Sequence, residues 1–432
     1  MEFRYNGGHR HRWSILRWPV KAPRIPQCVG PFRIWYHLAI LLFHVISAMP
    51  QAATFSTTPG QSLRLADILV RGSNNFDLVR LIASLAVIFG HSFYLFPTGG
   101  YQEPVTMLVE RNFSGTLSVG TFFFISGILV TQSFDRNRSP FRFALMRLAR
   151  ILPGLFVCIA VLSFIIGPAV SILPLSEYFK QQSVYCYLGQ NSTLIWVFPS
   201  LRSCNLLPGV FNSNHLPSAP AGSLWTLGPE VACYTYVLAA GCLGFLRTPI
   251  RLGLSIAAIL VLHAVVPRAV PYFSDDHYTD ALKVGLFFLA GVAAYAVRDL
   301  LVIRGRYTVL LVIAAAILQG TRVQEYALYV ALFYLVLVVA ASPTLRRVVL
   351  PGDYSFGVYI YGWPIQQSLN HFARTITSYP SNLVSLPLAL LAGYISWTLV
   401  ERPALNAVHR LVQRNRLATN PAYTQSKLMR ER

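Results

Sequence analysis

Asn75-Phe76-Asp77-Leu78-Val79-Arg80-Leu81-Ile82-Ala83-Ser84-Leu85-Ala86-Val87-Ile88-Phe89-Gly90-His91-Ser92-Phe93-Tyr94-Leu95-Phe96 decides how the chain is read. The stretch is long and apolar enough to cross a bilayer as a helix, yet it carries Asp77, Arg80 and His91. Insertion scales put an Asp or Arg at a helix centre at roughly 2.5–3.5 kcal/mol, so such groups are expected to face a partner or a polar cavity. Arg80 and His91 are eleven residues apart. That is three helical turns plus roughly 20°, with a rise of about 16 Å, so both fall on one stripe. One helix therefore offers a fixed cation near its start and a titratable imidazole deeper in. That arrangement suits a long anionic ligand with a reactive far end. Asp77, three residues before Arg80, is placed to orient its guanidinium.

The rest of the chain has the same character. Of its 432 residues 54% are apolar and 12% charged, with a formal charge of +20. Apolar runs long enough to span a bilayer recur, which predicts an all-α, polytopic, multi-pass integral membrane protein. The basic excess does not by itself indicate a nucleic acid, and no nucleic-acid partner is expected. The six cysteines show no CxxC or Cys/His metal spacing, so no metal is expected either.

From residue 62 about ten spans are predicted, at 76–96, 117–134, 151–173, 226–246, 252–270, 282–298, 307–320, 326–341, 354–372 and 383–401. With residue 75 placed in the cytoplasm, the inner loops hold twelve arginines, among them Arg142, Arg147, Arg150, Arg304 and Arg346. The outer loops hold six basic residues spread over more chain. This bias puts both termini inside. Residues 1–61 form a basic extension, read as an interfacial segment or an over-extended start; the alternative is a signal peptide ending at Met49-Pro50-Gln51-Ala52-Ala53. Residues 62–403 form the membrane domain, and residues 404–432 a basic cytoplasmic tail. The longest outer segment, about 174–224, lacks evident secondary structure and has the length of a binding loop. Its Cys186 and Cys204 are either a disulfide, if the loop is extracytoplasmic, or two unpaired thiols.

Several constellations carry chemistry, each with an ordinary structural alternative. Arg80 and His91 are either a snorkelling cation and a satisfied core histidine, or a binding group and a proton acceptor. Ser126-Gly127, after Thr121-Phe122-Phe123-Phe124-Ile125, permits close helix packing. Arg147 and Arg150, three apart, share a helical face and act either as orientation-setting charge or as a cationic mouth for phosphates. Ser223-Leu224-Trp225-Thr226-Leu227-Gly228-Pro229-Glu230 leads from the long loop into a span; Glu230 in an apolar helix needs a partner. Val400-Glu401-Arg402-Pro403 reads as a helix terminator before proline.

In order and position these stretches resemble acyltransferase family three, the integral-membrane O-acyltransferases of surface sugars. The resemblance rests on Asp77-x-x-Arg80 with His91 beyond it, Phe-Phe-x-x-Ser126-Gly127, Arg147-x-x-Arg150-x-x-Pro153, Ser223-Leu-Trp-x-Leu-x-x-Glu230 and Glu401-x-Pro403. It departs from the family at Tyr354-Ser355-Phe356-Gly357-Val358-Tyr359-Ile360-Tyr361-Gly362-Trp363-Pro364, where Gly362 stands where many members have a histidine. The resemblance implies transfer of an acyl group, acetyl above all, from cytoplasmic acyl-CoA to a hydroxyl of a glycan or lipid-linked sugar such as O-antigen or exopolysaccharide, at the cell inner membrane. Arg80, Arg147, Arg150 and Ser126 would hold the donor. His91 would be general base or transient nucleophile, Glu230 would act on the acceptor side, and Asp77 would orient Arg80. Two other functions fit a helical membrane protein with buried charges: a transporter or flippase of lipid-linked sugars, and an acyltransferase acting on a small metabolite or lipid.

Overall fold

The computed structural model describes residues 62–419, apart from 71, 110–111, 194–203, 270–275 and 322. The basic extension 1–61 lies outside the described residues, as do residues 420–432 of the tail.

Each of the ten apolar segments coincides with a helix. These are α1 (Phe76–Leu95), α2 (Ser114–Asn137), α3 (Pro140–Val161), α4 (Leu227–Cys242), α5 (Pro249–Ala269), α6 (Asp276–Ala296), α7 (Gly305–Ile317), α8 (Gln324–Ala341), α9 (Ser355–Phe372) and α10 (Ser378–Ser396). An eleventh helix, α11 (Arg402–Thr419), follows. Among the described residues there is no strand, only two isolated bridges. In hydrocarbon every backbone N–H and C=O needs an internal partner, which a helix supplies. By length and composition five helices are fit to cross a membrane: α1, α2, Pro140–Val170, α8, and the run Ser378–Arg414. α10 turns Leu383 and Leu391 outward, as a lipid-facing helix does.

Local chemistry sets the ends. α3 begins at Pro140, eleven residues before the predicted start of that span, because Ser139 caps the Arg142 N–H and Pro140 occupies the first turn. Arg142, Arg147 and Arg150 therefore lie within the helix and not in a loop. α2 ends at Arg138 in the left-handed conformation (φ 43°), which makes the α2–α3 turn sharp. Asn75 fastens the start of α1 by donating its side-chain amide to the carbonyls of Ala340 and Ser342 at the end of α8. Two pairs of helices meet backbone to backbone. On the α2–α6 contact, a Cβ added at Gly127 would strike the Phe288 carbonyl and reach Gly291. On the α9–α10 contact, one added at Gly357 would meet Gly393 at 2.8 Å.

Two expectations change. The helix does not stop at Glu401: α10 passes through a π-helical turn, Trp397–Glu401, into α11. Pro403 then sits in the first turn of α11, where a missing N–H and a fixed φ cost least. The long segment 174–224 is also more structured than its composition suggested. It holds helices Leu175–Lys180 and Gln182–Ser192, and Cys186 and Cys204 are disulfide-bonded, Cα to Cα 5.7 Å.

A cavity of arginines and carboxylates

Residues 204–226 tuck Val210, Phe211 and Leu224 into the helical body, while Asn212, Ser213, His215 and Pro217 stay exposed. α9 straps this segment down. Gln367 donates to the Leu216 and Ala219 carbonyls, Trp363 Nε1 donates to Ala219 at 2.7 Å, and Tyr359 OH donates to Ser223 at 3.0 Å. Irregular backbone at this depth is tolerable because protein side chains satisfy its polar groups. Below the strap lies a cavity lined by Arg80, Phe122, Ser126, Arg147, Arg150, Thr226, Glu230, Tyr234, Ser355 and Tyr359, with apolar groups of α2 between them. Five of the seven residues singled out in the sequence thus meet in one place. Ser126 faces this space while Gly127 next to it makes the α6 contact.

The charges are partnered unequally. Asp353, just before α9, accepts from Arg80 Nη1 at 2.6 Å and from Arg150 Nη2 at 2.6 Å, both through Oδ2. Its Oδ1 accepts from Ser355 Oγ at 2.6 Å. Burial pushes the Asp353 carboxyl up, but Arg150 and Arg80 outweigh it and hold the group well below the usual carboxylate range. Arg150 is bonded a second time, Nη1 to Glu401 Oε2 at 2.6 Å; Glu401 is fully buried and accepts from Ser396 Oγ at 2.8 Å. Arg147 differs: among the described residues it makes no ion pair. Its Nε is buried without a partner. Its guanidinium lies 5.7 Å from the centre of the Tyr234 ring and 5.9 Å from that of Phe143, and Tyr234 OH donates to Glu230.

Three sequence assignments move. Asp77 is exposed and makes no ion pair with Arg80 among the described residues; the carboxylate that takes its place is Asp353. Glu230, expected on the acceptor side, shares the cavity with the arginines. His91 does not line that cavity. It is half-buried further along α1, edge-on to Trp363 with ring centres 4.9 Å apart, and 6.0 Å from Phe113. Arg80 and His91 nevertheless both turn toward α9. Contacts pair Arg80 with Asp353, Ile88 with Gly362, His91 with Trp363 and Leu95 with Asn370, so α1 and α9 run parallel. Gly362 has a packing reason: any Cβ there would run into Ile88. The sequence signals missed were Asp353 at a helix start and Glu401, an acid in an apolar run that had been taken only as a stop.

The acyltransferase domain family matches residues 73–401. An O-acetyl transferase of Shigella phage Sf6 is 29% identical over 336 residues, covering 76% of this chain and 95% of that protein. Nodulation protein 10 of Rhizobium leguminosarum bv. viciae is 29% identical over 371 residues, covering 79% and 95%. No solved structure matches the chain.

Proposed function

The chain belongs to acyltransferase family three, and from that premise we propose that it moves an acetyl group from cytoplasmic acetyl-CoA to a hydroxyl of a surface or lipid-linked sugar. The observation that carries the donor half is Arg147, a guanidinium with a buried, unpartnered Nε in a cavity whose other two arginines are held by carboxylates. A cation without a counter-ion in a partly apolar cavity is costly and is relieved by an anionic ligand. Phosphates of the donor fit that demand. The acetyl half of the proposal draws on the name of the phage relative, an O-acetyl transferase.

In this proposal Arg147 and Arg80 grip the phosphates, with Ser126 beside them, and the pantetheine arm runs along α1 toward His91. His91 takes the proton of the sugar hydroxyl, whose oxygen attacks the thioester carbonyl. The C–S bond breaks, CoA leaves as thiolate, and the ester oxygen is the former hydroxyl oxygen. In this reading the apolar runs make ten crossings and the arginine bias puts both termini in the cytoplasm, which places the arginines toward the cytoplasmic side and His91 toward the outer one. The setting is the inner membrane.

The test is thiol release from acetyl-CoA by the purified protein, with and without candidate glycans, small hydroxylated metabolites and lipids. Acceptor-dependent release that His91→Ala abolishes while CoA still binds is the expected result. Release that survives in His91→Ala refutes the catalytic assignment; none with any acceptor favours transport of a lipid-linked sugar.

A further inference from the structure

The sequence offers Asp77 as the group that orients Arg80, but the geometry points to Asp353: we infer that Asp353 is the positioning residue of the donor site, acting through Arg80. The inference rests on the donor reading above.

Asp353 lies 273 residues from Arg80 and 203 from Arg150, and one of its oxygens bonds both. The other oxygen is fixed by Ser355, in the first turn of α9. Three helices, α1, α3 and α9, thus converge on one carboxylate. Arg150 has both terminal nitrogens committed, one to Asp353 and one to Glu401, and lies over the Phe356 and Trp397 rings, 5.6 and 5.4 Å from their centres. It is a fixed post. Arg80 is held by Nη1 alone and lies 6.0 Å from the centre of the Phe122 ring, which itself lines the cavity. Its other N–H donors have no bond among the described residues, so they remain for a ligand.

Arg80, Arg150, Asp353 and Glu401 carry two charges of each sign, so what Arg80 offers a ligand is its open N–H donors. The Arg80 fork therefore keeps donors for a phosphate while its three-carbon arm loses its freedom, and an ordered fork needs less ordering on binding. Without the carboxylate, Arg80 would keep its charge but not its place. A displacement of about 1 Å in such a group weakens binding and positioning strongly. Asp77, exposed on the first turn of α1, has no such hold.

The experiment measures equilibrium binding of coenzyme A to the purified full-length protein in detergent, with thermal melting in parallel. Asp353→Asn is expected to raise the Kd for CoA roughly ten- to a hundredfold, the loss of one to two charge-assisted bonds' worth of positioning. Asp77→Asn is expected to bind as wild type. Arg80→Gln combined with Asp353→Asn is expected to match Arg80→Gln alone, because Asp353 acts through Arg80; a purely structural carboxylate would not give that coupling. An unchanged Kd in Asp353→Asn, an equal loss in Asp77→Asn, or additive losses in the double variant overturns the inference. If Asp353→Asn does not fold, Asp353→Glu takes its place. It moves the carboxylate by one methylene, so a Kd at least about threefold higher is expected, and a wild-type Kd overturns the inference. Wild-type protein that fails to bind CoA at all instead sinks the donor reading, a separate outcome.

Discussion

Replacing Arg147 by Gln removes a guanidinium that no carboxylate neutralises among the described residues. The apoprotein loses little by it: two ring contacts, at 5.7 and 5.9 Å, of about 0.5–1 kcal/mol each. The donor loses a charge-assisted hydrogen bond to phosphate, about 1.5–3 kcal/mol, which is a rise in KM for acetyl-CoA of roughly ten- to a hundredfold. Arg150→Gln makes the contrast. It breaks bonds to Asp353 and to fully buried Glu401, and stripping one partner from a buried pair costs about 3–5 kcal/mol. Its loss is expected in melting temperature and yield more than in KM. Continuous thiol-release kinetics at varied acetyl-CoA, with melting curves for each variant, reads both. Should Arg150→Gln raise KM with normal melting while Arg147→Gln leaves KM alone, the division of labour among the arginines is wrong.

Gly127→Leu drives a side chain into the Phe288 carbonyl and is expected to part α2 from α6, seen as loss of folded protein by size-exclusion chromatography; Gly253, with open space around it, should accept Ala without change. The Asp353 carboxyl is depressed in the fold, so its contribution to stability is present above the ordinary value of about 3.9 and is lost as the pH falls below it. Wild-type melting temperature should fall as the pH is taken below about 4, and Asp353→Asn should show a shallower acid slope. Cys186→Ser is expected to loosen the segment 174–224, whose disulfide spans 18 residues, by about 2–4 kcal/mol, measured as faster limited proteolysis there.

Much of this fold was legible because hydrocarbon solvent leaves a chain few options. Each apolar run found its helix, and the eleven-residue spacing of Arg80 and His91 put both on the face toward α9. What failed shares one cause: it depended on partners remote in sequence. Asp77 was the nearest carboxylate to Arg80 along the chain, but Asp353 is the nearest in space. Glu401 looked like a terminator because nothing local shows that Arg150 waits opposite. That His91 lies beyond the cavity, against Trp363, is likewise something spacing along α1 does not encode.

The two backbone-to-backbone crossings, Gly127 on Gly291 and Gly357 on Gly393, behave as welds. A joint padded by side chains can slide by changing rotamers, but one in which main chains touch has no padding to rearrange. Helices α2 with α6, and α9 with α10, therefore move as rigid pairs or not at all. Any breathing that widens the cavity has to be taken up elsewhere, at contacts made through side chains such as those between α9 and residues 204–226.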